Sequence, residues 1–100
     1  MERNMAIAEE IVKQLGGRRF ILMTGAYDFV ALGSGVGFKL PSDKDFVKQG
    51  IDTVEVILTP DDTYTVRFLR DTELVSEHEN IHNDQLQELF TSVTGLDTHL

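Results

Sequence analysis

His78-Glu79-Asn80-Ile81-His82 spells H-E-x-x-H, the spacing with which zinc hydrolases hold a metal and activate water. On a helix the two histidines share one face, and Glu79 would serve as general base toward the metal-bound water. A third ligand is then needed, and His99 or Asp97 is the downstream choice. The surroundings argue against this chemistry. Val75 through Glu79 reads as strand or turn, and apolar periodicity of the helical kind begins only near Leu86. A helix starting at Asn80 or Asn83 leaves His78 outside it, so the imidazoles need not converge. The expectation is therefore no metal and no cofactor. His78, His82 and His99, with Glu79 as base, stand as the alternative of a zinc-dependent hydrolase.

Other chemistry-bearing strings are shorter. Gly33-Ser34-Gly35-Val36-Gly37 has the glycine content of a phosphate loop, but no Lys and Ser/Thr follow as a P-loop requires. It reads as a flexible turn leading into a strand. Ser76-Glu77-His78 contains hydrolase residue types without establishing triad geometry. Asp61-Asp62 beside Thr63 has the oxygens for a cation, and a turn explains the same residues. Arg18-Arg19 is too short a basic run to argue for nucleic acid; with Arg67 and Arg70 it leaves a basic-groove binder as a minor option.

Charge is more informative than any motif. The chain has a formal charge of −8, and residues 71–100 hold seven acids and no Lys or Arg, against nine Lys or Arg and ten acids in residues 1–70. Phosphate binding draws its affinity from Lys and Arg, so direct nucleic-acid contact through the last third is not expected. A basic partner, or a solvated acidic face, fits better. Asp71, Glu73, Glu77, Glu79, Asp84 and Glu88 are the interaction candidates. If they lie on one face they could imitate nucleic-acid phosphates and inhibit a host protein; scattered over several faces, they deprive mimicry of its main support. With no Cys, thiolate chemistry and disulfides are absent. No signal peptide and no apolar run of membrane-spanning length is read, so a cytoplasmic protein is expected.

The elements that must position these residues follow from apolar spacing. Ile7, Ala8, Ile11, Val12 and Leu15 form a stripe that predicts a helix over 4–15, with Asn4 as N-cap and Gly16-Gly17 as the stop. The continuous run Phe20-Ile21-Leu22-Met23 predicts a strand over 19–24. Further strands are predicted at 36–40, 52–59, 63–70 and 73–77, the middle two joined by the Pro60-Asp61-Asp62 turn into a hairpin. Leu86, Leu89, Phe90 and Val93 predict a final helix capped by Gly95. The expected fold is a single compact α+β domain spanning 1–100, with a mostly antiparallel sheet of four or five strands flanked by an N-terminal and a C-terminal helix. The loops over Gly25–Gly35 and Ser42–Gly50 are the places a fixed sheet would present a contact surface. No internal repeat is read.

Several segments have a familiar order: Phe20-Ile21-Leu22-Met23-Thr24-Gly25-Ala26, Phe38-Lys39-Leu40-Pro41, Leu58 through Thr65, Val75 through Glu79, Asp84-Gln85-Leu86, Phe90 and Thr94-Gly95-Leu96. Together they resemble a family of small uncharacterised proteins encoded by bacteriophages and mobile elements, over roughly residues 12–100. The resemblance implies an intracellular, phage-related setting and carries no catalytic residue, nor does it require His at the position of His82. The expected role is protein–protein interaction with an unidentified host or phage partner. Oligomeric state is open.

Overall fold

The computed structural model describes residues 2–41 and 50–96, with side chains from residue 6 onward. The first helix, α1 (Glu2–Leu15), begins ahead of Asn4, so Asn4 lies within it and does not cap it. Ile11 and Leu15 are fully buried, Ala8 nearly so, and Glu9, Glu10 and Lys13 are exposed, as the stripe predicts. Gln14 turns inward instead of facing water: its Oε1 accepts the Tyr64 hydroxyl at 2.9 Å and ties α1 to the sheet.

Residues 19–24 overturn the strand expectation. They belong to a second helix, α2 (Arg18–Thr24), separated from α1 by Gly16 and Gly17, both at positive φ. A short continuous apolar run does not distinguish a buried strand from a helix by periodicity. The decision rests at the C-terminal end. Gly25 adopts the left-handed conformation at φ 73°, and the Thr24 hydroxyl donates to the Phe20 carbonyl at 2.8 Å while accepting the Ala26 N–H at 3.2 Å. Phe20 and Thr24, four apart, therefore point inward, and Ile21 and Leu22 point out.

The strand displaced from 19–24 appears instead at β1 (Tyr27–Leu32), inside the expected 25–35 loop. It is followed by β2 (Gly35–Lys39), β3 (Thr53–Leu58), β4 (Tyr64–Arg70) and β5 (Glu73–Ile81), in an antiparallel meander of spatial order β1-β2-β3-β4-β5. The 3-10 turn Asn83–Gln85 leads into α3 (Leu86–Thr94), which ends at the left-handed Gly95. This is the α+β arrangement expected, with five strands and helices near both ends of the described chain.

The β3–β4 hairpin keeps its predicted alternation: Val54, Val56, Tyr64, Val66 and Phe68 are buried and face the helices. On the opposite face Thr53, Glu55, Ile57, Thr65, Arg67 and Leu69 are half-buried or exposed. The described α-helices share one side of the sheet, with α1 against β1, β2, α2 and α3. Gln87 Nε2 fixes α3 to the end of α1 through the Leu15 carbonyl at 2.8 Å. At the centre Phe20 meets Phe38 and Phe90 edge-on, with ring centroids 5.4 and 5.1 Å apart.

The glycine run has a structural explanation. Gly33 and Ser34 form the β1–β2 turn, and a Cβ on Gly35 would sit 2.0 Å from the Val56 carbonyl oxygen of β3. Gly35 is thus set by the close approach of two strands, and the run is no phosphate cradle between strand and helix.

Candidate functional site

β5 is longer than the predicted 73–77 strand and takes in most of the H-E-x-x-H string. A helix would bring His78 and His82 onto adjacent turns; an extended chain separates positions four apart by roughly 13 Å. Asn80, at φ 58°, adds an irregularity between the His78–Val66 and Ile81–Tyr64 pairs. His78 sits with its ring edge-on to Phe68, centroids 5.8 Å apart, and its Nε2 lies 3.3 Å from the Ser76 hydroxyl. His82 is exposed at the start of the 3-10 turn, where its backbone N–H donates to Gln85 Oε1 at 2.9 Å. Neither imidazole is presented as a helical zinc ligand. Among the described residues no group of three or more His, Cys, Asp or Glu is placed to hold a metal. His99 and Asp97 lie outside the described residues.

The acidic candidates do not share one surface. Asp71 occupies the β4–β5 turn, where its N–H donates to the Asp52 carboxylate. Glu73 lies 3.6 Å from Arg70, and Glu77 accepts from Arg67 Nε at 2.6 Å on the helix-free face. That contact, reinforced by Glu55 at 3.8 Å, holds the Arg67 guanidinium above its ordinary pKa. Glu79 is exposed near the far end of β5, Asp84 is in the 3-10 turn and Glu88 is on α3, in the helix layer. Nine strand residues span roughly 30 Å, so Asp71 and Asp84 stand near opposite ends of the molecule. The cations are dispersed as well: Arg18 and Arg19 are on α2, Arg67 is between two carboxylates, and Arg70 is at a strand end.

The Asp61 carboxylate is absorbed by the hairpin turn. Asp61 Oδ1 accepts from the hydroxyls of Thr59 and Thr63, and these bonds hold its carboxyl below the usual 3.8.

The most distinctive surface lies where α1, α2 and β1 meet. A groove of about 620 Å³ is bounded there by Ala8 and Val12, by Ile21 and Leu22, and by Phe29 and Val30, with Glu9, Lys13 and Arg18 on its lining. Exposure reaches 76% at Leu22 and 57% at Val30. The floor is firm, since Phe29 stacks on buried Phe38 at 5.2 Å and 29°. Isolated surface leucines are ordinary; a contiguous apolar depression is the feature that sets this surface apart. Comparison with family models, curated proteins and solved structures finds no match for the chain. No helix of the described residues is long and apolar enough to cross a membrane.

Sequence reasoning read the 25–35 segment as a loop and 19–24 as a strand, and so missed that β1 and α2 together border this groove. The signal was present. Phe20-Ile21-Leu22-Met23-Thr24-Gly25-Ala26 and Phe90-Thr91-Ser92-Val93-Thr94-Gly95-Leu96 share the spacing F-x-x-x-T-G followed by an apolar residue. Both are helix ends with the same bonds: Thr94 donates to the Phe90 carbonyl at 2.7 Å and accepts the Leu96 N–H at 3.2 Å. Recognising that repeat makes 20–24 helical and turns Leu22 outward.

Proposed function

We propose that this chain is a small, phage-related, cytoplasmic protein that acts by protein–protein interaction, and that the groove between α1, α2 and β1 is its contact surface. The observation that carries this reading is the exposure of Leu22, Val30, Ile21 and Phe29 around one depression with a packed aromatic floor. Covering such a surface removes apolar area from water, at roughly 25 cal/mol per Å² before the costs of association. The resemblance to phage-encoded proteins supports the setting. Charge supports the partner chemistry. Lys13 and Arg18 outnumber the one acid on the groove lining, Glu9, and neither cation is engaged in an ion pair among the described residues. The fitting occupant is an apolar segment of another protein with acidic residues at its flank, in place of the basic partner that overall charge favours. Nucleic-acid mimicry has less support, because its acids are divided between layers and two of them are paired with arginines.

The test is affinity isolation from infected or lysogenic bacterial cells with three baits: the native protein, Leu22→Glu with Val30→Lys, and Glu79→Gln with Glu88→Gln. All four positions are exposed, so the variants should fold. The proposal expects a partner that is lost from the groove bait and retained by the acid-depleted bait. Retention by the groove bait with loss from the acid-depleted one rejects it.

A further inference from the structure

The two edges of the sheet are built differently. β5 is shielded by Glu73, Glu77 and Glu79, by register shifts at two points, and by Asn80 at φ 58°. Charges and irregularities of this kind prevent a sheet edge from pairing with another chain. β1, the opposite edge, has one charge, Asp28, at φ 55° beside a register shift near its start. Beyond it Val30, Ala31 and Leu32 run in regular register against Gly37, Val36 and Gly35, without Lys or Pro. Five of the six β1 residues are exposed.

The groove also reaches this edge. Side chains alternate along a strand, so a depression against one face of β1 would take every second residue. Here Val30 and Ala31, adjacent and in regular register, both line it, as does Phe29 within the register shift. The depression therefore borders the strand's backbone, where one side of β1 has no strand partner among the described residues.

We infer that the groove binds its partner by strand addition: an extended segment of another protein pairs with the free edge of β1 as a sixth strand. This rests on the groove being the contact surface and names how it is used. Alternate side chains of the added strand would lie over Ile21 and Leu22, so those positions should be apolar. Lys13 and Arg18 call for an Asp or Glu at a flank of the segment. Backbone hydrogen bonds would contribute affinity and the alternate side chains selectivity.

The experiment selects random dodecapeptides displayed on a carrier against the immobilised native protein. Individual peptides are then tested on native protein, Val30→Lys and Leu22→Glu, and amide exchange is measured with and without peptide. Strand addition predicts recovered peptides with alternating apolar residues and a flanking acid. It also predicts weakening of about tenfold or more by either variant, and slowed exchange at alternate amides within 29–32. Peptides with apolar residues every three or four positions, lost from both variants but without that protection, overturn strand addition and leave the groove reading standing. Peptides that bind both variants as well as native protein, or no enrichment over the variants, overturn both. A native dimer in light scattering that Val30→Lys dissociates assigns the edge to a second copy and also overturns the proposal.

Discussion

Single hydroxyls and single φ angles hold the ends and turns of the elements. Thr24 and Thr94 are buried, and each closes a helix end by donating to the carbonyl four residues back and accepting an N–H two residues on. Replacing either with Val keeps the volume and deletes both bonds, leaving a backbone N–H without its acceptor. The expected loss is ~1–2 kcal/mol for each, read from urea unfolding. The Asp71–Thr72 turn stores strain of the opposite sense. Both residues have positive φ, 50° and 69°, and a β-branched residue is poorly suited to that region. Thr72→Gly should raise stability by up to ~1 kcal/mol in the same assay. At Asp61 the folded carboxyl is depressed below 3.8 by hydrogen bonds from Thr59 and Thr63. Its stabilising contribution is therefore fully present above the ordinary 3.8 and is lost as pH falls through the lower folded value. Asp61→Asn should flatten the acid limb of stability against pH, and unchanged acid sensitivity would contradict this role.

At the scale of elements, the β3–β4 hairpin was fully legible because alternation on both sides agrees with the Pro60-Asp61-Asp62 turn. The stripes of α1 and α3 were legible for the same kind of reason. The 19–32 region was not, because local signals there compete. Four consecutive apolar residues fit a buried strand, and Asp28 between glycines fits a loop. The C-terminal cap at Thr24-Gly25 reverses the first assignment, and pairing with β2 reverses the second. Placement of H-E-x-x-H outside a helix was foreseen, but the full reach of β5 was hidden by Asn80, which reads as a helix cap and is a strand irregularity. Gly35 tests the sheet itself. Its Cβ would overlap the β3 backbone, where nothing flexible can yield. Gly35→Ala should cost ~3 kcal/mol or more, or prevent β2 and β3 from pairing. A variant of native stability would show that these strands are not in the described register.

For the molecule as a whole, two features compete to explain an interaction: the −7 charge of the last thirty residues and the apolar groove on the other end of the meander. The fold divides the first, placing Glu77 on the helix-free face, Glu88 on the helix layer and Asp71 in a turn, while Arg67 and Arg70 offset two of the acids. It assembles the second from three elements that are distant in sequence only by a turn or two, α1, α2 and β1. Apolar docking and electrostatic mimicry have different dependences on ionic strength, because salt screens exposed charges and leaves apolar burial largely intact. The most direct measurement is the affinity of the partner isolated on native bait, titrated calorimetrically from about 50 to about 500 mM salt, where screening lengths become shorter than the spacing of surface charges. Docking in the groove predicts a shallow salt dependence, set by Lys13 and Arg18, and a negative heat-capacity change on binding. A steep loss of affinity with salt and no heat-capacity change would contradict it and return the function to the acidic surface.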